Sequence, residues 1–143
     1  MVKIKKHVKS AWMTSESDMK EKPWGTEVNL PGFNGVHGKI LSIREGCRTS
    51  LKYHQRKDET FYIKSGKVEF LFGDELTLAD PVDHGFQSVV AIAGDGLKVQ
   101  SACPYRITAL EDSEIIEIGN NLSDTPIRLK DDYGRETVDE KNS

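Results

Sequence analysis

Short segments of alternating apolar and polar side chains, separated by turns, make up the middle of this chain. Alternation of this kind predicts β-strands, because successive side chains of a strand point to opposite faces. No long segment repeats with the helical period, and turn signals recur about every eight to twelve residues. The pattern predicts an all-β sandwich or small barrel, with Ser65-Gly66 as a tight hairpin turn. The predicted strands are 39–44, 49–54, 59–64, 67–72, 87–93, 96–99, 106–110 and 114–118.

Both ends of the chain differ from this middle. Residues 1–21 contain several lysines, Trp12 and a polar run. This composition predicts an N-terminal arm, with a short strand or a helical turn, lying across the domain or a neighbouring subunit. Residues 136–143 are charged and almost without apolar side chains, and they predict a flexible tail. The barrel domain is therefore predicted to occupy residues 22–135.

Composition narrows the classes of function. The 143 residues, 36% hydrophobic and 30% charged, suit one globular domain. A net charge of −3 gives no general basic surface, so we expect no nucleic-acid partner. No apolar stretch is long enough to span a bilayer, and no signal-peptide core follows the basic start, so we predict a cytoplasmic protein without a membrane partner. Cys47 and Cys103 are expected to be reduced, partly buried thiols.

Strand alternation places three ionisable side chains near one another. Lys52 and His54 share one face of the predicted strand 49–54, and Glu59 begins the next strand. If these two strands pair, the three side chains converge on one small volume. Such a cluster inside a barrel is costly unless its members are paired or used in function.

Here the sequence resembles the first motif of the cupins, G-x5-H-x-H-x4-E-x6-G. Gly46, His54, Glu59 and Gly66 match it, and Lys52 stands where the first His is expected. In that family the two His and the Glu bind a metal inside a jelly-roll barrel. The resemblance therefore implies an all-β cupin jelly-roll barrel, or double-stranded β-helix, with few or no helices.

Further segments are similar to the cupin module of type II mannose-6-phosphate isomerases. They are Lys22-Pro23-Trp24-Gly25, the strand that starts at Lys39-Ile40, Asp124-Thr125-Pro126-Ile127-Arg128-Leu129 and Asp132-Tyr133-Gly134-Arg135. This resemblance spans about residues 22 to 135. It implies a sugar phosphate or nucleotide sugar as substrate, in the synthesis of surface-polysaccharide precursors.

The second cupin motif, G-x5-P-x-G-x2-H-x3-N, is altered. Gly94 matches it, but Tyr105 stands for the metal-binding His. Two of the four ligands, His54 and Glu59, therefore remain. A divalent Zn, Mn, Fe or Ni ion held by these two is one hypothesis, but a tyrosine binds metal only as phenolate and the Lys52 ammonium repels a cation. The sequence favours a site without a tightly bound metal.

Without a metal, the same residues can perform acid–base chemistry. His54 is suited to be the base beside a sugar carbonyl, Tyr105 the acid, and Lys52 the cation that stabilises an enediolate oxygen. Some sugar-nucleotide epimerases and ketoisomerases of cupin fold use His and Tyr in this way. Two alternatives stay open, a metal-dependent isomerase using His54 and Glu59 and a non-catalytic sugar-binding cupin. In the inactive alternative, Lys52 and Glu59 form an internal ion pair and Tyr105 fills space.

Substrate binding is assigned to two arginines, Arg48 and Arg106, because guanidinium groups suit phosphate oxygens. By strand parity Arg106 points away from Tyr105. Small cupins commonly pair through edge strands, so a homodimer is expected. The remaining candidates are interpreted as structural or solvated: Arg128, Arg135, Trp24, His7, His84 and the run Gln55-Arg56-Lys57-Asp58.

Overall fold

A computed structural model describes residues 8–120 and 124–137 of the chain. Within these ranges the backbone forms eleven strands and no helix, so no segment of them is a membrane-spanning helix. The strands are β1 Asp18–Lys22, β2 Gly25–Asn29, β3 His37–Ile43, β4 Leu51–Tyr53, β5 Glu59–Ser65, β6 Lys67–Phe72, β7 Gln87–Ile92, β8 Gly96–Val99, β9 Tyr105–Ala109, β10 Ser113–Gly119 and β11 Ile127–Lys130.

The strands form two antiparallel sheets that enclose one core. The six-stranded sheet has the order β1-β2-β3-β10-β5-β8, and the five-stranded sheet has the order β11-β4-β9-β6-β7. Inward side chains alternate along each strand, as the sequence pattern predicts. The largest buried apolar side chains at the centre are Phe61, Phe70, Ile43, Ile63, Ile107 and Ile115. The all-β prediction is confirmed.

All eight predicted strands are present, and two have the predicted bounds, β6 and β8. Strand β9 begins at Tyr105, one residue before the prediction, which places that side chain on the barrel wall. Strands β2 and β11 were not predicted, because each is short and rich in polar residues. Strand β1 is the short strand that was one of the two alternatives for the arm. Strand β1 begins in the predicted arm, ends at Lys22 in the predicted domain, and pairs with β2. Residues 1–7 of the arm and 138–143 of the tail lie outside the described residues.

The hairpin predicted at Ser65-Gly66 is wrong. Strand β5 belongs to the six-stranded sheet and β6 to the five-stranded sheet, so the chain changes sheets at this corner. Gly66 has φ of +90°, and a Cβ there would lie 2.5 Å from the carbonyl oxygen of Asp112. Only glycine suits such a left-handed, crowded corner.

Two smaller predictions are confirmed. Trp24 is 4% exposed and packs in the core as an anchor. Cys47 and Cys103 are free, partly buried thiols.

Candidate functional site

A pocket of about 190 Å³ lies between the two sheets and is walled mainly by polar side chains. One wall comes from the six-stranded sheet, through β3, β5 and β10, and the other from the five-stranded sheet, through β4 and β9. The segment before β11 borders the pocket. The lining residues are Lys39, Lys52, His54, Lys57, Glu59, Tyr105, Glu117, Asp124, Thr125 and Pro126.

Glu59 is the centre of the contacts in this pocket. Its Oε1 accepts a hydrogen bond of 2.6 Å from the Tyr105 hydroxyl and lies 3.3 Å from His54 Nδ1. Its Oε2 lies 3.4 Å from Lys57 Nζ. Burial by itself would raise the pKa of Glu59, but His54, Lys57 and Tyr105 outweigh burial and hold the pKa well below its ordinary value. Glu59 is therefore a fixed anion that orients its neighbours.

The predicted convergence of Lys52, His54 and Glu59 occurs, but not through pairing of their strands. Strand β4 pairs with β9 and β11, whereas β5 pairs with β10 and β8. The two strands face each other from opposite sheets, and their inward side chains meet inside the barrel.

Lys57, rather than Lys52, is the cation that pairs with Glu59. The run 55–58 was interpreted as a solvated turn, yet Lys57 is 5% exposed. Two causes draw it inward. The Asp124 carboxylate accepts hydrogen bonds from the backbone amides of Arg56 and Lys57, and Gly119 leaves the space that the Lys57 side chain crosses.

Lys52 lies beside Tyr105, its cross-strand partner, with Nζ 5.5 Å from the centre of the tyrosine ring. Burial lowers the pKa of Lys52, although the charges of Glu117 and Glu59 act in the opposite direction. The same surroundings raise the pKa of Tyr105 well above its ordinary value, first through burial and then through Glu59 and Glu117. Tyr105 is thus a neutral hydrogen-bond donor.

Glu117 is a pocket residue that the sequence reasoning missed. It is 5% exposed, and burial next to Glu59 raises its pKa to about 7. Its Oε2 lies 3.8 Å from Lys57 Nζ and has no hydrogen-bond partner among the described residues. The alternation of side chains along β10 would have revealed it, because Glu117 follows Ser113 and Ile115 on the inward face of that strand.

The same signal identifies a second inward polar row on β3. His37 and Lys39 precede Leu41 and Ile43 on its buried face. Lys39 pairs with the buried carboxylate of Glu27. Burial, Lys57 and Lys39 lower the pKa of His37 to about 4, and neither ring nitrogen has a hydrogen-bond partner among the described residues. The pocket wall therefore continues into a buried polar layer.

Neither arginine assigned to substrate binding lines the pocket. Arg48 forms a two-pronged ion pair with Asp132 on the surface. Arg106 is buried on the outward face of β9, where its Nε donates to the Thr49 carbonyl at 2.9 Å. The predicted opposite orientations of Arg106 and Tyr105 are confirmed. Arg135, which was interpreted as structural, pairs with Asp131.

The residues present do not fit a four-ligand metal site. Among the described residues, no group of three or more His, Cys, Asp and Glu could hold a metal ion. His54 and Glu59 supply two donors, but the other two positions carry the ammonium group of Lys52 and the neutral phenol of Tyr105. A protonated amine has no lone pair for a metal.

Comparison with known proteins identifies the fold. No family model and no curated protein matches the sequence. Oxalate decarboxylase from Bacillus subtilis superposes with a TM-score of 0.67 at 18% identity, covering 80% of this chain and 30% of that one. KdgF from a Halomonas species superposes with a TM-score of 0.62 at 17% identity, covering 80% of this chain and 94% of that one.

Lactobacillus farciminis oxalate decarboxylase, in complex with formate, gives a TM-score of 0.65 at 15% identity, covering 80% of this chain and 34% of that one. The chain spans about a third of the length of the oxalate decarboxylases that it matches. The Bacillus subtilis protein contains Mn(II) centres. These similarities confirm the predicted cupin jelly-roll fold.

Proposed function

We propose that this cupin-fold chain is a metal-independent isomerase or epimerase that moves a proton beside the carbonyl group of a small sugar phosphate. One observation carries the proposal. The pocket holds two glutamates of opposite character, Glu59 with a lowered pKa and Glu117 with a pKa of about 7, next to His54. Neighbouring groups whose pKa values are pushed apart are typical of acid–base catalysis.

His54 is the base in this proposal. Its Nδ1 faces the Glu59 carboxylate at 3.3 Å, so the proton on Nδ1 is held there and Nε2 keeps its lone pair. A neutral imidazole oriented by a carboxylate can remove a proton from the carbon beside a carbonyl. Glu59 is the positioning residue.

Glu117 replaces Tyr105 as the proposed acid. A carboxyl group with a pKa of about 7 is half protonated at neutral pH, so it can give and regain a proton in each cycle. The Tyr105 hydroxyl is engaged with Glu59 and keeps that carboxylate in place. Lys52 stabilises the negative oxygen of the enediolate through its ammonium group.

Pocket size favours a sugar phosphate over a nucleotide sugar. A volume of about 190 Å³ is below the usual range for drug-sized ligands, so a monosaccharide fits and a nucleotide would project outside. The resemblance of the end segments to type II mannose-6-phosphate isomerases supports the same substrate class. The homodimer and the cytoplasmic location stay predictions.

A metal-dependent isomerase is the second candidate, and the similarity to a protein with Mn(II) centres favours it. His54 and Glu59 would be its ligands. The third candidate, a non-catalytic sugar-binding cupin, needs only the pocket.

Hydrogen–deuterium exchange tests all three. The protein is incubated in D2O with mannose 6-phosphate, fructose 6-phosphate or glucose 6-phosphate, and exchange at the carbon beside the carbonyl is followed by NMR. We expect exchange that survives dialysis against EDTA and falls about 100-fold or more in His54→Gln and Glu117→Gln. Arg48→Gln, outside the pocket, is the matched control and should exchange like the wild type.

Other results would decide against the proposal. Exchange that is lost on chelation and restored by Mn²⁺ would establish the metal-dependent candidate. A melting-temperature increase with a sugar phosphate, without any exchange, would establish the binding protein.

A further inference from the structure

Two cationic residues are cross-strand neighbours at the edge of the pocket, and one of them, Lys52, lines it. Arg128 in β11 is the direct cross-strand partner of Lys52 in β4, and Lys52 is in turn the partner of Tyr105 in β9. Directly paired residues of antiparallel strands point to the same face of a sheet. Arg128, Lys52 and Tyr105 therefore form one row, and Lys52 and Tyr105 line the pocket.

The segment around β11 supports this orientation of Arg128. Pro126 lines the pocket, and residues two apart on an extended chain share a face. Arg128 Nε is buried and has no hydrogen-bond partner among the described residues. Burial lowers the pKa of Arg128, Arg135 lowers it further, and Asp131 acts in the opposite direction.

The nearby carboxylates are already engaged with other cations. Asp131 forms a two-pronged pair with Arg135, with Nη2 to Oδ1 at 2.9 Å. Glu59 pairs with Lys57 inside the pocket. Like charges directly opposite each other on paired strands destabilise a sheet, and a buried guanidinium donor without an acceptor adds to that cost.

We infer that Lys52 and Arg128 form a subsite for the phosphate group of the ligand. A phosphate between them would neutralise both cations, and one of its oxygens would accept a hydrogen bond from Arg128 Nε. The planar guanidinium group suits phosphate oxygens in this way. Adjacent strands are about 4.8 Å apart, so the row from Arg128 to Tyr105 spans about 10 Å. A ligand anchored by phosphate at Arg128 thus extends a short carbon chain toward Tyr105 and His54.

This assignment rests on the proposed function for the sugar attached to the phosphate, but not for the binding of the anion. It gives Lys52 to the phosphate group in place of the enediolate oxygen. It also replaces Arg48 and Arg106, because Arg48 is paired with Asp132 on the surface and Arg106 is on the outward face of β9. Arg128, in contrast, shares a sheet face with Lys52.

Titration with inorganic phosphate tests the subsite. Isothermal titration calorimetry at constant ionic strength, with chloride as the competing anion, gives the Kd of the wild type and of each variant. We expect Arg128→Gln and Lys52→Met each to weaken phosphate binding at least tenfold. Arg128→Lys should retain part of the affinity, and Arg48→Gln, a surface arginine, should stay within twofold of the wild type.

Acetate, titrated in parallel, separates a phosphate subsite from a carboxylate subsite, and acetate binding tighter than phosphate would overturn the assignment. Wild-type protein that does not bind phosphate, or Arg128→Gln that binds it like the wild type, would also overturn it. Melting temperatures of all variants show whether each one folds. If Arg128→Gln does not fold, the phosphate affinity of Arg128→Lys still tests the subsite. If phosphate binds at Arg128 but no sugar phosphate shows hydrogen–deuterium exchange, the subsite is supported and the isomerase proposal is refuted.

Discussion

The Tyr105 hydroxyl donates a 2.6 Å hydrogen bond to Glu59 and thereby joins the two sheets inside the barrel. Both side chains are buried, at 1% and 5% exposure. Tyr105→Phe removes this donor and leaves the carboxylate less satisfied, so we expect a loss of about 1–3 kcal/mol in the free energy of unfolding. Urea denaturation measures the loss. Tyr62→Phe, at a side chain that is 49% exposed, is the control, and an equal effect in both variants would contradict the prediction.

Lys57 and Lys52 should differ in their effect on stability, although both line the pocket. Lys57→Met leaves Glu59 and Glu117 without their paired cation, so we expect a loss of about 3–5 kcal/mol. Lys52→Met removes a charge whose burial lowers its pKa, and methionine keeps much of the side-chain volume, so we expect a neutral or stabilising effect. Denaturant unfolding at pH 7 compares the two. Equal losses would show that Lys52 also balances charge.

Glu117 should make the stability of the protein depend on pH. Its pKa is about 7 in the folded chain and near 4.5 when unfolded, so the unfolded state releases this proton first as the pH rises. The contribution of Glu117 to stability therefore falls from pH 4.5 to pH 7 and stays low above that.

Glu117→Gln removes this dependence. We expect the variant to be more stable than the wild type at pH 8, by up to about 3 kcal/mol, and similar to it at pH 4.5. Unfolding curves at the two pH values measure the difference. If wild type and variant differ in the free energy of unfolding by the same amount at both pH values, the pKa of Glu117 is in its ordinary range.

Gly119 should not tolerate a side chain. A Cβ there would lie 2.8 Å from His37 Nε2 and 2.9 Å from Lys57 Cε, so Gly119→Ala forces both side chains to move. We expect a loss of about 1–3 kcal/mol by overpacking. Gly96→Ala is the control, because the nearest atom to its Cβ would be 3.5 Å away, at ordinary contact distance. Thermal unfolding of the two variants distinguishes them, and similar melting temperatures would refute the packing argument.

Strand parity explains what the sequence could predict. It placed Lys52, His54 and Glu59 in one volume, because inward and outward side chains alternate whichever strands pair. The pairing itself was not predictable, since β4 and β5 meet from different sheets across a connection that resembles a short turn. Parity applied to β10 would also have identified Glu117, an acidic residue on the buried face of that strand.

Long-range contacts explain why the sequence did not predict the positions of Lys57 and Arg128. Lys57 lies in a charged run typical of a solvated turn, but its burial depends on residues far along the chain. They are Asp124, 67 residues away, and Gly119, whose missing side chain leaves the space for Lys57. Arg128 lies in a strand of four residues, and its importance follows only from its register with Lys52. Neither relationship has a local signal in the sequence.

Because the pocket takes one wall from each sheet, any molecule that fills it will hold the two halves of the barrel together. Binding to the folded state alone raises the melting temperature in proportion to the logarithm of ligand concentration above Kd. The physiological ligand can thus be sought without knowing the reaction, by screening metabolite collections for compounds that delay thermal unfolding. Arg48→Gln should respond to a true pocket ligand like the wild type, and Lys52→Met should not respond.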